Sequence, residues 1–311
     1  MKILVTGGAG FIASNIVDEL ISLGHSVAVL DNLSSGHKAF INPQAHLLQA
    51  DIDDSKIGTY IKEFRPELLI HHAAQIDVQN SMLDSVHDAR VNILGTLNVL
   101  ECCKNYIRKV VYASSAAVYG VPKYIPIDEA HPINPISNYG ISKYTPESYL
   151  RVYSERFGIP YTILRYGNVF GIRQDPNGEG GVVSVFLDKL LNGHRPIIYG
   201  DGENTRDFIF VKDVVKANIQ SLYTGDNRVL NISCGKQTSV NQLLAEMCSI
   251  LNVPFNPIYQ PNRPGDIIHS CLDNTLAKQI LDWEPEFSIK EGVKQTINYY
   301  LNQKIEAVGQ G

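Results

Sequence analysis

The chain opens MKILVTGGAGFIAS, residues 1–14. Ile3, Leu4 and Val5 form a β-prone apolar run that ends in a glycine cluster, and Phe11, Ile12, Ile16, Val17 and Leu20 then recur at helical spacing. The order is strand, tight turn, helix. Gly7, Gly10 and Ala13 are the small residues of that turn. Glycine permits positive φ and close backbone approach, while the N-terminus of the next helix offers free N–H groups and a positive dipole end to a pyrophosphate. A merely tight turn would use the same residues, so the second strand has to arbitrate.

That strand ends VAVLDNLSSG, residues 27–36, and places Asp31 at its carboxyl end. An acid there accepts hydrogen bonds from both hydroxyls of an adenosine ribose and repels a 2′-phosphate. The expected cofactor is therefore NAD rather than NADP. Ala13 keeps helix and strand close, as Gly or Ala does in this pattern.

With 311 residues the chain is long enough for a large core and for two lobes. Hydrophobic residues at 44% and charged residues at 19% describe an ordinary globular composition. The net charge of −5 gives no general attraction for nucleic acid, so phosphate must be bound by placed groups. No charged-then-apolar leader precedes the first strand and no apolar run is of membrane-spanning length, which predicts a cytoplasmic protein without a membrane partner. Cys102, Cys103, Cys234, Cys248 and Cys271 show neither metal-ligand spacing nor a disulfide framework.

Further β-rich runs at residues 27–30, 68–71, 110–113 and 162–164 alternate with helical stretches. This predicts an α/β fold, a doubly wound parallel sheet of Rossmann type. After about residue 166 glycine and proline crowd DPNGEGG and YGDGENTRD, and a helix-rich tail follows. The expected division is a dinucleotide-binding domain at 1–166 and a smaller, interleaved α/β substrate lobe at 167–311. Part of 211–235 should return to the first domain.

YGISKYTPESYL, residues 139–150, carries the catalytic candidates. Tyr139 and Lys143 lie one helical turn apart and share a face. With 16 tyrosines the same spacing also occurs at Tyr119/Lys123 and Tyr300/Lys304. Pro122 interrupts the first of these, and the last is remote from the nucleotide motifs. Context selects the middle pair.

TGGAGFIAS, HHAAQ, ASSAAVYG, YGISK, LRYGNVFG and RDFIFVKDV, in this order over nearly the whole chain, resemble the extended short-chain dehydrogenase/reductase family, and within it the UDP-glucose 4-epimerases. The resemblance implies a bound NAD and a UDP-sugar substrate. It assigns Tyr139 as proton acceptor, Lys143 as the cation that favours its phenolate and holds the nicotinamide ribose, and Ser115 as the hydroxyl at the reacting oxygen. On the cofactor side it implies Gly7, Gly10, Phe11, Ile12, Asp31, Asn32, Ser35 and Gly36, then Asp51 and Ile52 at adenine. His72, Ala73, Ala74, Asn92, Ser114, Tyr139, Lys143 and Tyr166 complete that set. For the substrate it implies Ser115, Asn168, Val182, Tyr199 on uracil, Arg206 and Arg263 on phosphate, Asp266 on the uridine ribose and Ser270 beside the sugar.

Residues after the hydroxyl decide between reactions. Related dehydratases carry an Asp-Glu pair there and decarboxylases usually a Glu, whereas this chain has Ala116 and Ala117. Without those carboxylates oxidation at C4 should be followed only by hydride return, which is epimerisation. The competing readings are a dehydratase, decarboxylase or reductase acting on a nucleotide sugar, and a non-catalytic NAD-binding regulator. His71 and His72 are adjacent at a strand end, point to opposite faces and have no partners at metal-ligand spacing, so no metal is expected.

Two departures from the family pattern stand out. Ile76-Asp77-Val78 occupies the segment where some epimerases place a lysine near the cofactor diphosphate, which predicts looser retention. Pro146 lacks a helix N–H, so a kink or a restarted helix is expected just past Lys143. The resemblance also implies a homodimer built on helices at about 92–104 and 142–157.

Overall fold

The computed structural model describes residues 1–176, 181–263 and 267–309, with side chains through Lys304. Its strands are β1 Lys2–Thr6, β2 Ser26–Asp31, β3 His46–Gln49, β4 Leu68–His71, β5 Val110–Ser115, β6 Tyr161–Tyr166, β7 Asn168–Phe170, β8 Ile197–Tyr199, β9 Thr205–Arg206, β10 Phe208–Phe210, β11 Arg228–Ile232, β12 Thr238–Ser239 and β13 Ile258–Gln260. The helices are α1 Phe11–Ser22, α2 Ile57–Phe64, α3 Val78–Leu83, α4 Ser85–Ala89, α5 Thr96–Cys103, α6 Asn138–Phe157, α7 Val182–Leu191, α8 Val211–Gln220, α9 Val240–Leu251, α10 Thr275–Leu281 and α11 Ile289–Gly309.

Seven strands form one parallel sheet in the order β11-β6-β5-β4-β1-β2-β3. The order reverses between β1 and β4, so a crevice opens beyond their carboxyl ends, where such sheets bind ligands. Strand alternation divides the core. Ile3 and Val5 pack with Ile16, Val17, Leu20, Val214 and Trp283 on one face, and Leu4 packs with Ile57, Leu69, Leu100, Tyr112 and Ile163 on the other. A doubly wound sheet buries both sides in this way, which is why its strands read as continuous apolar runs.

Two strands of this sheet escape the periodicity reading. β3, with sequence HLLQ, is short and only partly covered at the sheet edge. β11 follows a turn of polar residues and joins the sheet beyond β6 at the opposite edge. A third core gathers Phe170, Phe186, Phe208, Phe210, Leu243 and Met247 with Phe11 of α1. The first turn of α1 is therefore packed by residues far along the chain.

α6 runs unbroken from Asn138 to Phe157 with Pro146 inside it. The expected restart does not occur. Ser137 caps its start by accepting the Gly140 N–H, and Gly158 ends it at φ 65°. Pro146 sits buried in the middle of the helix, where burial of Gly140, Ser142, Lys143, Glu147, Leu150 and Tyr153 holds one face in place.

Candidate active site

Two adjoining cavities of about 200 and 540 Å³ open at the sheet's reversal point and share Gly7, Gly10, His72, Ala74 and Ile76. Together they reach the size range of small-molecule sites, about 300–1,000 Å³. The larger is lined by Asp31, Asn32, Ser35, Gly36, Asp51, Ile52 and Ala73, and the smaller by Phe11, Ile12, Ser114, Ser115, Tyr139, Lys143 and Tyr166.

The glycine turn shows why its residues are small. Gly7 holds φ 70°, and a Cβ there would lie 2.8 Å from the backbone nitrogen of Ala73. Gly36 is equally confined, since a Cβ would stand 2.8 Å from that of Ala9 and 3.0 Å from Asp31 Oδ1. Gly10 caps α1 without a side-chain hydrogen bond, so the N–H groups of the first helical turn face the cavity without a side-chain acceptor at their cap.

Asp31 is buried, with Oδ2 accepting the Ala9 N–H at 2.9 Å and Oδ1 accepting the Leu33 N–H at 2.8 Å. It caps the loop and lines the cavity at once, because each carboxylate oxygen has a second lone pair. Asn32 donates to Asp51 at 2.9 Å and ties together two residues that line the larger cavity.

His71 and His72 do diverge. His71 bonds Thr6 Oγ1 at 2.7 Å and Thr96 Oγ1 at 2.8 Å, whereas His72 Nε2 meets the Tyr166 hydroxyl at 3.0 Å. Burial, then the charge of Lys143, pushes both down to about 3, so neither is charged at neutral pH. His72 Nδ1 is buried without a partner among the described residues, on a side chain lining both cavities. An orphaned polar atom, an uncapped helix N-terminus, a carboxylate and a cradle too tight for a Cβ together fit a dinucleotide such as NAD.

Lys143 is buried on α6 and its ammonium lies 4.8 Å from the centre of the Tyr112 ring. Burial pulls it down to about 8, against the carboxylates of Glu147 and Asp88, which favour its charge. Tyr139 lies half-buried one turn earlier, its own N–H held by Ser81 Oγ at 3.1 Å. Ser115 ends β5 and accepts the Ala117 N–H at 3.2 Å.

Two expected cofactor residues behave differently. Asn92 is buried in a wide, π-helical stretch (Arg90–Gly95) and lines neither cavity. Its amide donates to Gln75 O, Asp88 Oδ1 and Ser142 Oγ and accepts from Gln75 N–H, so it braces α6 against the cavity wall. Ser114 lines the cavity, but its hydroxyl donates to Glu147 at 2.7 Å. In the segment Ile76-Asp77-Val78, Asp77 caps α3 by accepting the Asn80 N–H and also lines the larger cavity.

Of the residues expected on the substrate side, Ser115 lines the smaller cavity, and the other described ones line neither cavity. The Arg263 guanidinium stacks on the Tyr199 ring at 3.9 Å. Arg206 Nη1 donates to the carbonyls of Thr205 and Ile268, and the Ser270 N–H donates to Thr205. Asn168 is exposed at the start of β7, Val182 begins α7, and Asp266 lies outside the described residues.

Sequence reasoning missed Glu147, Arg165 and Gln174. Gln174 lines the smaller cavity and is buried with Oε1 unpartnered among the described residues. For Glu147 the signal was present, since it follows Lys143 by one more helical turn.

Comparison with known proteins agrees with this geometry. A UDP-glucose 4-epimerase of Mycolicibacterium smegmatis is 40% identical over 97% of this chain and 99% of its own. The crystal structure of a UDP-glucose 4-epimerase from Thermotoga maritima, with UDP-glucose, superposes with a TM-score of 0.96 at 44% identity, covering 98% of this chain and all of that one (100%). A UDP-N-acetylglucosamine 4-epimerase from Methanobrevibacter ruminantium, in complex with UDP-N-acetylmuramic acid, gives 0.92 at 36% identity over 97% and 98% of the two chains. Residues 3–233, which hold the glycine turn, Asp31, Ser115, Tyr139 and Lys143, match a single family description. The chain belongs to the NAD dependent epimerase/dehydratase family.

Proposed function

We propose that this protein interconverts UDP-glucose and UDP-galactose by inverting C4 through a transient 4-keto sugar. The observation that carries the reading is the meeting of Ser115, Tyr139 and Lys143 at one cavity wall with the glycine turn, followed by Ala116 and Ala117 instead of carboxylates. NAD, when bound, supplies the acceptor for the C4 hydride and returns it.

Tyr139 takes the proton of the 4-hydroxyl and later gives it back. An unperturbed phenol, with a pKa of about 10, is a weak base at neutral pH, so a neighbouring cation must favour its phenolate. Lys143 is that cation. With its pKa pulled down to about 8 it keeps its proton in most molecules at pH 7. Ser115 holds the reacting oxygen. The neutral His71 and His72 add no competing charge to that wall.

Inversion needs a sugar free to turn and a nucleotide held firmly. Tyr199 and Arg263 supply a stacked ring and guanidinium for uracil and phosphate, and Arg206 offers a second planar fork. Asn168, Val182 and Asp266 complete the nucleotide side. Ser270 is small and partly buried, which favours room for an N-acetyl group, so UDP-N-acetylhexosamines are accepted as well. Two protomers pair through α5 and α6, where Ile141, Tyr149 and Val152 of α6 and Leu94, just before α5, present exposed apolar side chains.

The test is incubation with UDP-glucose or UDP-galactose without added NAD and with product resolved by chromatography. Interconversion is expected. Its absence even after NAD is added would overturn the reading.

A further inference from the structure

Beneath Ser115, Tyr139 and Lys143 lies a buried charged network that the proton and hydride steps do not use. Glu147 is fully buried, at 0% exposure, one turn past Lys143 on α6. Its Oε1 accepts from the Ser114 hydroxyl at 2.7 Å and from Arg165 Nε at 3.0 Å, and its Oε2 accepts from Arg165 Nη2 at 2.5 Å. Arg165 Nη1 donates to the Tyr119 hydroxyl at 2.9 Å, which donates to Asn231 Oδ1 at 2.7 Å. The chain of bonds joins α6 to β5, β6 and β11.

A buried ion pair is weak evidence for stability, because apolar replacements of similar volume are often neutral or stabilising. Its value here lies in what it connects. Ser114 and Ser115 both line the smaller cavity, and the Ser114 hydroxyl also grips α6 through Glu147. Tyr112, two residues earlier on the same face as Ser114, donates its hydroxyl to the carbonyl of Lys143 at 3.2 Å. The end of β5 is thus fastened to α6 at Lys143 and again at Glu147.

We infer that Glu147, clamped by Arg165, is a positioning residue: through Ser114 it fixes Ser115 relative to the Tyr139 and Lys143 face of α6. The inference deepens the 4-epimerase reading and rests on it. The same carboxylate favours the Lys143 ammonium against burial.

Ser114→Ala cuts the tether and leaves the ion pair whole. The variant is expected to fold and to lower kcat for UDP-galactose between about 10-fold and 100-fold, because misplacement of a reacting group acts on the transition state. KM should stay within about twofold. Ser114→Thr, which keeps a hydroxyl, should recover most of the rate. If Ser114→Ala does not fold, the double variant Glu147→Gln/Arg165→Gln, which strands no buried charge, is read in the same way. A folded variant with wild-type kcat, even at lowered melting temperature, would overturn the inference alone. A wild-type protein that interconverts no UDP-hexose would overturn the functional reading, and this inference with it.

Discussion

At the scale of single residues, the proposed proton acceptor can be tested by removing one hydroxyl. Tyr139→Phe removes the hydroxyl and keeps the ring, so NAD titration should be unchanged while kcat falls by about 10²- to 10⁴-fold, the usual worth of a positioned acid–base group. Wild-type turnover in that variant would show that Tyr139 is not the base. Lys143 gives the expected pH dependence. Burial lowers it to about 8, so its charge is present below that pH and lost above it. The rate should therefore fall as pH rises through about 8, and a kcat profile flat from pH 7 to 10 would remove Lys143 as the cation that stabilises the phenolate. On the proposed reading Ser270 flanks the sugar, and Ser270→Tyr would fill that space. Activity on UDP-N-acetylgalactosamine should disappear while UDP-galactose turnover is spared, and equal loss on both substrates would show that another wall sets the selectivity.

At the scale of elements, the β1 to α1 turn and α6 hold the residues of the proposed site, and each is held by contacts beyond its own sequence. The turn closes on Ala73, just past β4, where Gly7 leaves no space for a Cβ. Gly7→Ala combines that clash with a left-handed backbone, which costs about 1–2 kcal/mol for an L-residue. Thermal melting should show a lowered midpoint, and NAD titration a weakened affinity. An alanine variant as stable and as tightly binding as wild type would mean that the turn can relax. α6 tolerates Pro146 because its buried face is anchored on both sides of the proline, by Tyr112 at Lys143 and by Arg165 at Glu147. Tertiary packing overrides a local helix breaker there.

At the scale of the whole molecule, segments distant in the chain are joined by polar clamps as well as by apolar packing. Asp207 is buried and accepts the N–H groups of Cys234, Gly235 and Leu272, which fastens the segment after Ser270 to the end of β11. Burial pushes this carboxyl up to about 6 and the three N–H donors oppose the rise. Phe11 carries α1 into the third core, among Phe170, Phe186, Phe208 and Phe210. On the outer surface Ile141, Tyr149 and Val152 line one face of α6 at helical spacing, with Leu94 close in sequence to α5. Val152→Glu would place a charge in an apolar helix-pair interface. Sedimentation at micromolar concentration should give a dimer for wild type and a monomer for the variant, and a wild-type monomer would refute pairing.

The sequence by itself determined the parallel sheet, the dinucleotide turn and the shared face of Tyr139 and Lys143, because those features rest on residue periodicity and on glycine's conformational range. It also placed Ala116 and Ala117 where the resemblance puts carboxylates in related dehydratases and decarboxylases. Only the tertiary structure decided what depends on residues distant in the chain. β3 and β11 became sheet edges by pairing with β2 and β6 rather than by strong patterns of their own. Asn92 became a brace because Gln75 and Ser142 surround its amide. Glu147 met Arg165 and Ser114 across two strands, and Arg263 met the Tyr199 ring. Local spacing sets the direction in which a side chain leaves its helix or strand; which group waits there is decided when the elements pack.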